Sequence, residues 1–411
     1  MEKTTDKGEQ MTPPKGYKHT ELGVLPEDWE VVRLGDIGKI VGGGTPSTKK
    51  VEFWSGTIPW ISSSDIDENS VFDISQTRYI TQEAISKSST KPIEPNSILI
   101  VSRVGLGKVA VNQNILCTSQ DIQALTQHKQ NAFFLVYAIK NLVSLACRIN
   151  QGTSIKGFTK EVLSNLCIPL LPLAEQEKIA EILSTWDTQI QNFETLITEK
   201  QALKKGLCQT LLTAKTRLKG FSGDWEVVRL GDVCEINPKS LELPDTFIYI
   251  DLESVSRGKL CSVKYMKKTN APSRAKRTLQ KHDILFQMVR PYQKNNLYFN
   301  LEGDYVASTG YAQIRTKQSS GFVFQYIHSR AFVDRVIEKC TGSNYPAINA
   351  TDLSQIEIPL PPLAEQEKIA EILSEADNEI TLLEQKLQSL EIQKKGLMQI
   401  LLSGKVRVKW N

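Results

Sequence analysis

Eleven lysines and arginines fall between Arg257 and Lys294 of this 411-residue chain, and a single acid, Asp283, falls among them. Tyr265, Phe286 and Tyr292 are interleaved with the cations. A short basic run is ordinarily a solvated face. A run this long, with one acid and several aromatic rings, points instead to a polyanion, whose phosphates attract Lys and Arg. The strongest candidates for contact with phosphate or base are Arg274, Lys276, Arg277, Arg290 and Lys294, with Tyr292 beside them. Gln293 and Asn295 carry side-chain amides that could read adenine. The first half of the chain is less basic, and Lys49, Lys50, Arg103 and Lys108, with Arg78, are its weaker candidates.

Other chemistry finds less support. Gly105-Leu-Gly107-Lys-Val-Ala110 has the letters of a dinucleotide fingerprint, but a helix must follow the glycines to hold a pyrophosphate. Here Lys108-Val-Ala-Val-Asn112 alternates like a strand, so Val104–Gly107 is expected to be a hairpin turn. Gly42-Gly-Gly-Thr-Pro-Ser47 lacks the Gly-Lys-Ser/Thr ending of a phosphate-binding loop. His19, His128, His282 and His328 are isolated, and Asp65, Asp67, Glu68 and Asp73 are acids of one loop with no evident metal geometry. Seven scattered cysteines, with no Cys-x-x-Cys, suit a reducing cytoplasm and no zinc site. No apolar run reaches the length of a membrane span, and the polar N-terminus lacks a signal-peptide core. The formal net charge of +4 is too small to establish a nucleic-acid partner alone.

The elements that must position these residues are written twice. Pro172-Leu-Ala-Glu-Gln-Glu-Lys-Ile-Ala-Glu-Ile-Leu-Ser184 recurs letter for letter at Pro362–Ser374, and Asp28-Trp-Glu-Val-Val-Arg-Leu-Gly-Asp36 recurs at Asp224–Asp232. The chain is therefore one unit used twice: entry motif, variable body, identical block, long periodic stretch. Ile58–Ile61, Ser97–Ser102 and Lys108–Val111 read as strands, and Ala132–Leu145 as a mostly buried helix. Gly152–Phe158 reads as a loop before the first block. From within each block onward the apolar residues keep a heptad spacing: Ile179, Leu183, Trp186, Ile190, Phe193 and Ile197, then Ile369, Leu373, Ile380, Leu383, Leu387 and Leu390. Each stripe predicts a helix long enough to outreach its own body, and the two are expected to pack antiparallel as a coiled coil, with Gly404 as a C-terminal cap. Such a pair would act as a ruler. Lys215–Lys219 and Lys405–Lys409 are counterparts, so Trp410 is expected near Leu22–Leu25.

The duplicated block, the Leu25–Leu34 entry, Gly43-Gly-Thr-Pro-Ser47 and Ala271-Pro-Ser-Arg274 together resemble the specificity subunit of type I restriction–modification systems, over nearly the whole chain and in the same order. The resemblance implies an α+β architecture: two tandem mixed α/β target-recognition domains, each followed by a long helix, the helices forming an antiparallel coiled coil with pseudo-two-fold symmetry. The expected boundaries are a flexible tail at 1–21, a first domain at 22–170, a spacer helix at 171–214, a second domain at 215–360, a second spacer helix at 361–404 and a terminal segment at 405–411. It further implies double-stranded DNA as ligand, recognised as a split, asymmetric target, and no catalysis in this chain. Two methyltransferase (modification) subunits and motor–nuclease (restriction) subunits are the implied partners. They would hold the S-adenosylmethionine, ATP and magnesium, leaving no cofactor here. Two readings from other classes compete: a coiled-coil scaffold that binds only protein, separable by a salt-dependent DNA shift, and a nucleotide-dependent enzyme using Gly105–Ala110, separable by cofactor binding.

Overall fold

The computed structural model describes residues 12–149, 157–256, 258–342 and 344–409. The chain divides into two units: Met1–Glu194 with Lys386–Asn411, and Thr195–Gln385.

In the first unit the entry strand Glu30–Arg33 pairs antiparallel with Cys167–Leu170, Val32 opposite Ile168. The chain end and chain start of the body are thus closed on each other. An antiparallel sheet follows, in the order Lys39–Gly42, Ile122–Thr126, Ile98–Val101, Val109–Val111. Both of its faces are covered. Ile98, Ile100, Val109 and Val111 cluster with Phe134, Leu135 and Ile139 of the helix Ala132–Ile149. Leu99, Val101 and Ala110 cluster with Ile61, Ile66 and Leu116 on the other side. Alternate residues of a strand point to opposite faces, which is why Ile98-Leu-Ile-Val101 is apolar without interruption. The second sheet runs Tyr79–Ile80, Ile58–Ile61, Leu116–Thr118, Pro92–Ile93, and its central pair is parallel.

The second unit repeats this order with different residues. Glu226–Arg229 pairs with Glu357–Leu360. The first sheet is Cys234–Ile236, Tyr311–Thr316, Ile284–Gln287, Leu297–Tyr298. The second is Lys264–Lys267, Thr246–Ile250, Tyr305–Ser308, Ala275–Thr278, again with a parallel central pair. In place of one covering helix there are two, Ser320–Ile327 and Arg330–Glu338, the second capped by the Ser329 hydroxyl accepting from Phe332 N.

The long helices are Leu173–Leu211 and Leu363–Leu402, of 39 and 40 residues. In the first unit Ile179 and Leu183 share a core cluster with Leu401 and Leu402, and Asp187 forms an ion pair with Lys394. In the second, Leu211 and Leu212 share a cluster with Ile369 and Leu373, and Lys200 and Lys204 pair with Glu379 and Asp377. Within each unit the paired segments therefore run antiparallel. The sequence pattern assigned Ile179, Leu183, Ile369 and Leu373 to a helix–helix seam, whereas they also sink into the core of a body, because the first turns of each helix lie on it. Ile197, Ile380 and Leu390 are buried, while Trp186, Ile190, Phe193, Leu383 and Leu387 are half-buried. Gly404 takes φ +68° and its N–H donates to Leu401 O, the capping conformation expected. Ala214 holds φ 56° at the corresponding place after the first helix.

One expectation is corrected and one is met. Tyr17–Thr20, assigned to the flexible tail 1–21, form a strand antiparallel to Gly23–Pro26, and Tyr17 Oη donates to Gly404 O. The tail's polar composition concealed a local hairpin, which the bond from Tyr17 ties to the end of the chain. The turn at Val104–Gly107 does join two antiparallel strands, with Gly105 at φ +83° and Gly107 at φ +102°, so no helix receives a pyrophosphate there. The expected loop residues 152–156, and Trp410, lie outside the described residues.

Candidate nucleic-acid interface

Each body is held by a buried polar hub made of the duplicated motifs. In the first unit Glu175 is fully buried and accepts from the Trp29 indole N–H (2.9 Å) and from Arg407 Nε and Nη2 (2.7 and 2.8 Å). Arg407 also forks onto Asp28, at 2.8 Å for both bonds. The guanidinium lowers the Asp28 carboxyl pKa, and the two carboxylates raise that of Arg407. In the second unit Glu365, Trp225 and Arg217 repeat the arrangement, with both Arg–Glu bonds at 2.8 Å and the indole at 3.2 Å. The next residue completes it. Gln176 donates to Leu171 O and Gln130 Oε1 and accepts from Asn131 N, and Gln366 does the same with Pro361, Gln318 and Ser319. A buried carboxylate is tolerable only when its lone pairs are met, so Trp, Glu-Gln and Arg must travel together.

On this frame the second body displays the basic run. Its charge contrast is smaller in space than in sequence, because carboxylates from outside the run meet four of the lysines. Lys259 pairs with Glu384, Lys264 with Asp251, Lys268 with Glu242 and Lys281 with Glu302. The lone acid is not on the surface: Asp283 is buried and bound by Arg315, Gln313 and the Gln280 N–H. Among the described residues Lys267, Arg274, Lys276, Arg277 and Arg290 have no ion-pair partner. Arg274 and Lys276 are exposed. Arg277 is half-buried, its Nε lacks an acceptor, and burial lowers its pKa.

Arg274 and the loop after Gln287 converge on one turn, since Thr309 N donates to Arg274 O and Met288 N donates to Gly310 O. That loop carries Arg290, Tyr292, Gln293, Lys294 and Asn295 around the short turn Pro291–Gln293. Tyr292 is exposed. The others are partly committed. Gln287 Nε2 donates to Gln293 Oε1, Asn295 N donates to Gln287 Oε1, and Lys294 Nζ donates to His328 O. Burial lowers the Lys294 pKa and pushes that of His328 down to about 4.

The first body is different. Lys49 and Lys50 are exposed on the loop before Phe53, with Lys50 Nζ 4.9 Å from that ring. Arg103 is paired with Asp121 (2.8 Å). Lys108, expected at the interface, instead clasps the carbonyls of Ser63 and Ile66, which a lysine reaching back from a hairpin does readily. Arg78 is held by Asp65 and lies over Trp60. The glycine loop at Gly43 is required by packing: a Cβ there would lie 2.2 Å from Ser119 O. A cleft of about 600 Å³ in this unit is lined by Asp67, Asp73, Glu194 and Glu391 among others, a charge unsuited to a polyanion. Among the described residues no His, Cys, Asp or Glu cluster has metal-binding geometry, and no helix is long and apolar enough to cross a membrane. Sequence reasoning missed the hubs and Tyr345. The hubs had a signal, since Trp, Glu and Arg recur together in both copies.

A family model described as the type I restriction modification DNA specificity domain matches residues 26–201 and again residues 222–392. The type I restriction enzyme MjaVIII specificity subunit of Methanocaldococcus jannaschii is 27% identical over 410 residues, covering 94% of this chain and 94% of that protein. The MjaIX specificity subunit of the same organism is 31% identical over 251 residues, 57% of this chain and 58% of that one. A crystal structure of a type I restriction-modification S subunit from M. genitalium superposes with a TM-score of 0.59 at 16% identity, covering 91% of this chain and 96% of that chain; at that identity the likeness is one of fold.

Proposed function

The chain belongs to the type I restriction–modification DNA specificity family, and from that premise we propose that it reads a bipartite, asymmetric duplex target, one half-site per body, for a methyltransferase and nuclease that reside in other subunits. It is a non-catalytic specificity subunit with two tandem DNA specificity domains. Two methyltransferase subunits and the motor–nuclease subunits are its partners, working in the cytoplasm, and S-adenosylmethionine, ATP and magnesium belong to them.

One observation carries the asymmetry. The two units share strand order and buried hub, yet present different surfaces. The arginine after the third strand of the first sheet is paired with Asp121 in one body (Arg103), while Arg290 in the other has no carboxylate among the described residues. A common frame with unlike faces suits two unlike half-sites. In the second body Arg274, Lys276, Arg277 and Lys294 supply the phosphate field, and Arg290, Tyr292, Gln293 and Asn295 stand nearest the base edges. Lys49, Lys50 and Arg103, with Lys108 bracing the hairpin, do so in the first.

The test is an exchange of residues 22–165 for the matching segment of a relative with another target, followed by sequencing of methylated sites in cells. One half-site should change and the other persist. Change in both halves would refute the division of labour.

A further inference from the structure

Arg290 combines features that no structural role explains. Its backbone is left-handed, φ 53° and ψ 54°, a conformation that side chains other than Gly, Asn and Asp seldom adopt. The loop enforces this: Val289 bridges to Ala347, Arg290 N donates to Pro346 O (2.8 Å), and Gln293 N donates to Arg290 O (3.0 Å). Lys294, closing the same turn, is left-handed too, with φ 55°. The Arg290 guanidinium lies over the Tyr345 ring at 4.3 Å, and Tyr345 is itself 65% exposed. Its Nε is buried without an acceptor, and among the described residues no ion pair reaches it.

A guanidinium held this way is prepared for an acceptor that the described residues do not supply. Strain in a loop persists where the surroundings impose it, commonly at a binding site. A buried donor without a partner calls for a ligand that supplies one. A phosphate would be satisfied by a mobile ammonium as well as by an arginine. A guanidinium also forks onto two phosphate oxygens, but a tetrahedral phosphate offers oxygen pairs in several planes, whereas O6 and N7 of guanine lie in one, so a plane fixed by stacking favours the base edge. Resting on the DNA-reading function proposed above, we infer that Arg290, oriented by Tyr345, is a base-reading residue of the second body and recognises a guanine. Gln293, Lys294 and Asn295 brace the loop through Gln287 and His328, and position the arginine.

The experiment uses the full-length chain and its R290G and R290K variants. Each is selected against a double-stranded DNA pool with randomised positions, then titrated with the parent's target and with that target altered at one base pair at a time. Glycine is at ease at this φ, so R290G should unfold at a temperature no lower than the parent. R290K keeps the charge and loses the plane. The parent should penalise loss of one particular G·C pair by roughly 5- to 150-fold, the span of a bidentate arginine contact. Both variants should lose that penalty and keep those at the other positions. Two results overturn the assignment while leaving DNA binding intact: unchanged penalties at every position in the variants, or a uniform loss of affinity in R290G with R290K like the parent, the signature of a phosphate contact. Selection of no target by the parent would defeat the DNA-reading function itself, and this inference with it.

Discussion

The arrangement of cations in the second body predicts which of them DNA feels. Arg274 and Lys276 are exposed and have no carboxylate partner among the described residues, whereas Lys268 and Lys281 face Glu242 and Glu302. The double variants R274A/K276A and K268A/K281A each remove two positive charges, taking the formal net charge from +4 to +2 (4 − 2), so the overall field changes equally. If the unpaired cations meet phosphates, each lost contact lowers the slope of log K against log salt by ~0.9, or ~1.8 for the pair. Between 50 and 200 mM salt, a fourfold change, that difference amounts to roughly a 12-fold factor in affinity. The paired lysines already sit in a neutralised field, and their removal should leave the slope within about 0.5 of the parent. The measurement is fluorescence anisotropy of a labelled non-specific duplex over a salt series. Equal slope changes in the two variants would refute the reasoning, since net charge alone would then govern binding.

The hub and the buried histidine give two further expectations. R407A strands the fully buried Glu175 with only the Trp29 indole, and should cost ~2–4 kcal/mol, discounted from the usual 3–5 because Arg407 is partly exposed; calorimetry should find the added mutation E175Q costing far less in R407A than in the parent, and additive losses would deny the coupling. Burial of His328 favours the neutral ring and lowers its pKa to about 4; Lys204 and Lys294 add to the fall, while the hydrogen bond between its Nδ1 and Phe324 O opposes it. The unfolded chain therefore binds the extra proton first. Stability is complete above pH ~6.5 and falls between there and pH ~4, by about 3 kcal/mol at most. H328Q should flatten that slope in thermal unfolding measured from pH 7.5 to pH 4.5, and an unchanged slope would place the titrating group elsewhere.

Much of the frame was legible because it is governed by period and repetition. The heptad stripes, the helix at Ala132, and the strands at Ile58, Ile98 and Val109 follow from apolar spacing that only one secondary structure can bury. The equal strand order of the two bodies was not legible, since their residues differ and pairing partners are as distant as Glu30 and Leu170 or Glu226 and Leu360. Tyr17–Thr20 were missed because a short polar stretch pairs with its neighbour Gly23–Pro26, and the side-chain bond that ties it down reaches Gly404, near the opposite end of the sequence. The basic run was found, but its strength was misjudged. Charge counted along a sequence omits acids that folding brings alongside, here Asp251, Glu242, Glu302 and Glu384. Glu175 lies in the first turn of its helix, where an exposed carboxylate would complement the dipole, but its burial makes it a hydrogen-bond centre.

The arginines show how one residue type serves two opposed ends. Arg217, Arg315 and Arg407 each fork onto a carboxylate that is buried, and removing any of them would leave that charge without its counter-ion. They belong to the frame. Arg277 and Arg290 have Nε atoms that are as well buried but meet no acceptor among the described residues. The same desolvation is therefore uncompensated until something else binds, and a ligand rich in acceptors gains what the fold has left unmet. Arg103 falls between these cases. It is paired with Asp121 but more than half exposed, so an arriving phosphate must compete with a carboxylate already in place. Such a contact contributes little affinity and penalises any misplacement of the anion. Reading in the first body must then lean more on uncharged groups, and the two half-sites should differ in how steeply salt weakens them as well as in sequence.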